Sequence, residues 1–287
     1  MSKKTKKAAP FPAAAIVRWY GGGFERGPWT TSYFPTHDSY YEPFVGGGSI
    51  LTHKRACKFE TVTDSNGRLI NLLTIIRDRV DELAEKIALT PWAEAEWELG
   101  QVQADDPLED ARRFWFVCWS SYRGGPPDPS NTFTWNTKPG SRYSSHSTTA
   151  KRHDLFRIAR RLEHVQILHR SAFDVLPLFI EADALIYADP PYVLETRTRR
   201  DGYGQHEFDE AAHRRLADLL NRHKGTAVIS GYQSDLYAEL YESVGWQRID
   251  SEQEYQTNSG SARIESLWLS PETQRRLTYN RLPLVML

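Results

Sequence analysis

The chain has 287 residues and a mass of 33.0 kDa, with 40% apolar residues, 25% charged residues and a formal net charge of -1. This length suits one large domain or two modest ones, and the composition argues against a disordered chain, a collagen-like repeat and a membrane protein. The small net charge hides a segregation: Asp78 to Asp110 holds eleven acidic and two basic residues, whereas Ala111 to Arg170 holds eleven Lys or Arg against three acidic residues, the concentration a chain needs to grip a polyanion.

The first nine residues read as a solvated basic tail, and no apolar signal core follows Met1 to Lys7. Val17 to Tyr20 is a strand-like segment running into Gly21-Gly22-Gly23. Ser39 to Val45 leads into Gly46-Gly47-Gly48, after which small and apolar residues open a helix. Phe59 to Thr63 is a predicted strand ending at Asp64. From Asn66, Leu69, Leu73, Ile76, Val80, Leu83 and Ile87 recur at helical spacing, a helix that ends before Pro91. Residues 91–161 lose the alternation. They hold an acidic helical part, an apolar aromatic helix around Phe114 to Trp119, and a long loop from Gly124 to Thr149.

Alternation then resumes. Helices are predicted at Leu155 to Leu162, Val175 to Ile180, Glu210 to Arg222 and Leu236 to Ser243. Strands are predicted at Val165 to Leu168, Ala184 to Ala188, Thr226 to Ser230 and, last, Arg263 to Leu269, whose charged residues read as structural. The pattern predicts an α/β fold, a doubly wound and mostly parallel sheet interrupted by a helical subdomain. Residues 11–90 and 162–287 form the sheet domain and 91–161 the insert. Two cysteines, Cys57 and Cys118, are too few for a disulfide framework or a zinc site, and a reducing cytoplasm is expected.

Three features fall at the ends of predicted strands, where open α/β sheets bind ligands. Glu42-Pro43-Phe44-Val45-Gly46-Gly47-Gly48 would let backbone N–H groups approach a ligand, but its spacing is not that of a dinucleotide phosphate loop, which disfavours a nicotinamide dehydrogenase. Asp64 is placed either to accept ribose hydroxyls or to cap the helix after it. The strand Ala184 to Ala188 feeds Asp189-Pro190-Pro191-Tyr192. The prolines fix the backbone, so the Asp189 carboxylate and the Pro190 carbonyl become rigid acceptors beside the Tyr192 ring. That set suits a planar amine-bearing ring, with the amine on the acceptors and the tyrosine on the face. A tight turn would explain the prolines but not the order of the four residues.

Together these segments resemble the Dam-type N6-adenine DNA methyltransferases, from about Val17 to Asp78 and again from about Val165 onward. Arg18-Trp19-Tyr20-Gly21-Gly22-Gly23 looks like the family's aromatic-x-Gly-Gly-Lys segment, Tyr41 to Ser49 like its cofactor loop, Asp64-Ser65-Asn66 like its ribose-binding segment, and Asp189 to Tyr192 like its catalytic motif. The resemblance implies a Rossmann-like fold, S-adenosylmethionine as methyl donor and an adenine flipped out of double-stranded DNA as acceptor. It assigns Trp19, Gly23, Phe44, Gly46, Asp64 and Asp189 to the cofactor site, with Phe173 and Asp174 framing the cofactor's adenine, and Asp189, Pro190, Pro191 and Tyr192 to catalysis. Gly23 stands where the family has Lys, and Arg18 and Arg26 are the neighbouring candidates to replace it.

In the mechanism the resemblance implies, acceptors at Asp189 and Pro190 draw density onto the adenine amine and poise its lone pair at the sulfonium methyl. No metal is needed. The insert is then the DNA reader, with Arg112, Arg113, Tyr122, Arg123, Lys138, Arg142, Lys151 and Arg152 available for phosphate or base contacts. Asn131 to Asn136 reads as a hairpin carrying polar base readers. A cytosine-N4 methyltransferase and a non-catalytic DNA-binding protein that kept the fold are the rival readings. The expected protein is a monomer or weak dimer of bacterial or bacteriophage type, as in restriction–modification.

Overall fold

The computed structural model describes residues 15–19, 24–135, 145–193, 195, 208–256 and 262–281. The chain divides into two compact units. One comprises Met1–Thr31, Gly46–Ala56 and Asn71–His164; the other comprises Ser32–Val45, Cys57–Ile70 and Val165–Leu287.

The second unit carries one seven-stranded sheet. Its strands are β1 (Ser39–Glu42), β2 (Phe59–Asp64), β3 (Val165–His169), β4 (Leu185–Ala188), β5 (Thr226–Gly231), β6 (Gln247–Gln256) and β7 (Ala262–Leu269). The order is β3-β2-β1-β4-β5-β7-β6. β1 to β5 run parallel, while β7 is antiparallel to both β5 and β6. The order reverses between β1 and β4, as in a doubly wound Rossmann-like sheet, and open sheets of this kind bind ligands beyond that pair's carboxyl ends.

β4 and β5 are buried at every position, which is why they read as continuous apolar runs rather than alternating ones. They share a core with Tyr41, Leu216, Leu220, Tyr237 and Trp268. Leu216, Leu219 and Leu220 come from α9 (Glu210–Arg222), whose N-cap Asp209 accepts from the Ala212 N–H at 2.8 Å. β6 is polar and was not legible as a strand. The chain also continues into α11 (Pro271–Arg281), beyond the strand expected to be last.

Among the described residues, five helices separate β2 from β3: α3 (Gly67–Asp78), α4 (Val80–Leu89), α5 (Glu94–Gly100), α6 (Pro107–Ser120) and α7 (Ser145–Leu162). The single helix expected from Asn66 to Ile87 is two, because Arg79 leaves helical geometry at φ -140° and ψ 38°. α6 is capped by Asp106, which accepts from Leu108 and Glu109 N–H, and Pro107 sits where its missing donor costs nothing. Phe114, Trp115 and Phe116 are buried, as plain core packing requires. Residues 15–19 form no strand, so the expected strand at Val17 is replaced by an irregular segment.

Candidate active site

The Asp189-Pro190-Pro191-Tyr192 turn leaves β4 in the second unit. Pro190 and Tyr192 are buried, and Asp189 and Pro191 are half-buried. Asp189 Oδ1 accepts a 2.8 Å hydrogen bond from Ser230 Oγ, on the neighbouring β5. Ser230 Oγ is also 2.9 Å from the Tyr187 hydroxyl and 3.4 Å from the Ala188 carbonyl. The Tyr192 hydroxyl donates to Glu265 Oε2 at 2.9 Å, and the Tyr192 ring meets Tyr232 edge-on at 4.7 Å. The carboxylate and the ring are therefore each fixed by a side chain from another strand.

Beside this turn in the sheet order stands β1, whose exit is equally well held. Val45 N–H donates to the Thr63 carbonyl at 3.0 Å, and Thr63 Oγ1 donates to the Pro43 carbonyl at 3.1 Å. Burial pushes the Tyr41 hydroxyl well above its ordinary value, so it stays neutral, 3.0 Å from Thr63 Oγ1. Phe44 is half-buried and meets Phe208 edge-on at 5.6 Å; Phe208 stacks on Phe173, also at 5.6 Å. Phe208 carried no motif, and only its burial reveals it. Asp174 is exposed on α8 (Ala172–Phe179).

The two readings of Asp64 separate cleanly. Asn66 is the residue that caps α3, its Oδ1 accepting from Leu69 N–H at 3.1 Å. Asp64 instead holds the turn, accepting from Asn66 N–H at 2.9 Å, and its half-buried carboxylate ends β2. A carboxylate at a strand's carboxyl end beside a half-buried aromatic group fits a ribose diol and a purine, so these residues suit the nucleoside part of S-adenosylmethionine.

In the first unit, the glycine loop lies under the segment Ile16 to Trp19. A Cβ on Gly46 would stand 3.0 Å from the Trp19 ring, and one on Gly48 would collide with Ile16; their φ values are +46° and +64°. The glycines thus have a packing reason besides close approach to a ligand. Trp19 and Gly46 come together; Gly23 lies outside the described residues. The two neighbouring arginines, Arg18 and Arg26, both lie among the described residues. Arg26 is buried, and Arg18 donates from Nη1 to the Ser121 carbonyl at 2.8 Å and from Nη2 to the Tyr122 carbonyl at 3.1 Å.

Arg18 thereby braces a loop that follows α6. Tyr122 N–H donates to the Thr132 carbonyl at 2.8 Å and Thr134 N–H to the Ser120 carbonyl at 2.7 Å. Asn131 is buried, donating to the Gly124 carbonyl at 2.9 Å and accepting from Arg123 and Thr132 N–H. This corrects the hairpin expected at Asn131 to Asn136. Among the described residues only the Ser121–Phe133 bridge forms, and Asn131 faces inward to hold the loop. Tyr122 and Trp135 are 65% and 72% exposed. Arg123 is half-buried, and its buried Nη1 finds no hydrogen-bond partner among the described residues.

Arg112 and Arg113 are engaged in ion pairs. Arg112 is buried and forks onto Glu109, reaching Glu96 at 2.7 Å as well, while Arg113 pairs with Glu109 at 3.1 Å. Lys138 and Arg142 lie outside the described residues, as do the side chains of Lys151 and Arg152. Among the described residues no cluster of His, Cys, Asp and Glu could hold a metal ion, and no helix is long and apolar enough to cross a membrane.

The chain is similar to known proteins along most of its length. The chain is 25% identical to a DNA adenine methylase of Haemophilus influenzae over 256 residues, covering 82% of this chain and 85% of that protein. It is 24% identical to the type II methyltransferase M.MjaIII of Methanocaldococcus jannaschii, covering 73% and 79%. It is 23% identical to a DNA adenine methylase of Serratia marcescens, covering 79% and 87%. A family profile described as D12 class N6 adenine-specific DNA methyltransferase matches residues 19–257, and with most of its length so matched the chain belongs to that family.

Proposed function

We propose that the Asp189–Tyr192 turn seizes the amino group of an adenine flipped out of double-stranded DNA, within the N6-adenine methylation that defines the family. S-adenosylmethionine supplies an electrophilic methyl group on a sulfonium. Asp64 and the half-buried Phe44 hold its nucleoside.

The chain's task is to make a poor nucleophile reactive, because the adenine amine's lone pair is delocalised into the ring. Asp189 and the Pro190 carbonyl each accept a hydrogen bond from N6–H, which favours a tetrahedral nitrogen and brings its lone pair out of conjugation. Tyr192 packs on the purine face and sets its tilt. After transfer the nitrogen is cationic, and the excess proton leaves toward Asp189. Tyr122 and Arg123, on the braced loop of the first unit, contact the duplex.

The observation that carries this reading is the Ser230-anchored carboxylate beside the Glu265-anchored ring, at the carboxyl end of a central strand next to the order reversal. Base extrusion is tested with duplex in which the target adenine is 2-aminopurine. A fluorescence rise on binding, with label from a radioactive methyl donor entering N6 of adenine in unsubstituted duplex, is expected. Transfer with no change in 2-aminopurine emission would overturn the extruded-base reading, and label on cytosine N4 would overturn the assignment of the amine.

A further inference from the structure

Glu265 reads in sequence as a structural residue, yet it is only 4% exposed and its carboxylate lies 2.9 Å from the hydroxyl of Tyr192. A buried carboxylate is costly unless it is hydrogen-bonded. Topology explains how it arrives there. β7 is antiparallel to β5, with Leu267 opposite Ser230 and Ser266 opposite Gly231. The start of β7 therefore lies at the edge where the parallel strands end, level with the turn that follows β4. A further parallel strand would have delivered its last residues there, not its first.

We infer that Glu265 is a positioning residue for methyl transfer, fixing through the Tyr192 hydroxyl where the far end of that side chain sits. The inference rests on Tyr192 packing against the target base. A phenol ring turns readily about χ2, where the torsional wells are broad. Packing against Tyr232 limits that turn, while the hydroxyl, which lies on the χ2 axis, is held by Glu265 and so fixes the direction in which the ring points. Glu265 touches no substrate and moves no proton. Its effect reaches the reaction only through the tilt of the ring that seats the purine, so it belongs to the rate of transfer and not to cofactor binding.

The test is a double-mutant cycle on the full chain with duplex substrate and S-adenosylmethionine. E265A is expected to lower kcat by about 10- to 100-fold, the usual loss when an outer hydrogen-bond partner of a site is removed. S-adenosylmethionine affinity without DNA should stay within about 2-fold. E265Q, which still offers an acceptor, should recover most of the loss. Y192F removes the hydroxyl itself, so adding E265Q or E265A to Y192F should change kcat by less than about 2-fold. Losses that multiply, an E265Q rate no better than E265A, or a folded E265A with wild-type kcat would each overturn the inference. Should E265A fail to fold, E265Q alone and combined with Y192F decides it. Wild-type transfer, and its loss in D189A, report separately on the parent reading.

Discussion

The catalytic turn at Asp189 to Tyr192 and the loop at Ser121 to Trp135 are stabilised in opposite ways. In the turn, side chains bond to side chains: Ser230 to Asp189 and Tyr192 to Glu265, both through strands of the sheet. In the loop the backbone is what is held, by Arg18 on the Ser121 and Tyr122 carbonyls and by Asn131 on Gly124 and Arg123, while Tyr122 and Trp135 stay exposed. Chemistry requires reacting groups within a fraction of an ångström, so the groups themselves are fixed. Reading DNA requires exposed side chains that meet a partner from solution, so only the frame beneath them is fixed. Changes in the first region should appear in the rate of transfer, and changes in the second in affinity and site choice.

The largest effect tests that division directly. Asp189→Ala should lower transfer by about 10³-fold or more, since it removes an acceptor aimed at the developing charge. Duplex binding in a gel-shift titration should persist, and Ser230 keeps the Tyr187 hydroxyl and Ala188 carbonyl as partners. If duplex binding fell in step with transfer, the two regions would not be separable in function.

Smaller losses are expected in the loop. Arg123→Ala should cost about 1–3 kcal/mol of DNA affinity and relax discrimination at one base position, measured against duplexes carrying single substitutions. A footprint unchanged in both respects removes Arg123 from the reader. Asn131→Ala leaves the Arg123 and Thr132 amides and the Gly124 carbonyl without their partner, at about 1–3 kcal/mol of local stability. DNA affinity should drop by about 10-fold, with kcat at saturating duplex within about 3-fold of wild type. A large loss of kcat instead would show that the loop takes part in the chemistry.

The sheet was readable because its buried strands are short apolar runs ended by residues with turn chemistry. β4 and β5 are of this kind, and the Asp189 to Tyr192 order singled out its strand at once. The supports were not readable. Ser230 and Glu265 are ordinary polar residues in sequence, 41 and 73 positions from their partners, and only the placing of β7 between β5 and β6 brings Glu265 to the edge. In the insert, the sequence offered Arg112 and Arg113 as phosphate contacts alongside Arg123. It could not show that Arg112 meets Glu96 and Glu109 across α5 and α6, because opposite charges sixteen residues apart carry no local signature. Arg79, which divides one apolar periodicity into two helices, has no Pro or Gly to announce it.

The mildest prediction concerns the acid side of the first unit. Hydrogen bonds from Arg112 hold the Glu109 carboxyl at about 2, with Arg113 and Lys86 adding to the effect and partial burial opposing it. A group held below its unfolded value contributes fully above that value, near 4.3, and loses its contribution as pH falls from there toward 2. On the order of 2 kcal/mol is at stake once partial exposure is discounted. Glu272 is held equally low by Arg275 and Arg276, but those partners lie on its own helix α11. Glu109 ties α6 to Lys86 on α4 and, through Arg112, to Glu96 on α5. Acid should therefore loosen the packing of the helices that precede the reading loop, while turnover near neutral pH stays the same. Urea unfolding followed by circular dichroism between pH 6 and 3, on wild type and Glu109→Gln, measures this. The wild type should lose stability more steeply than the variant; parallel pH dependences would mean that Glu109 carries none of it.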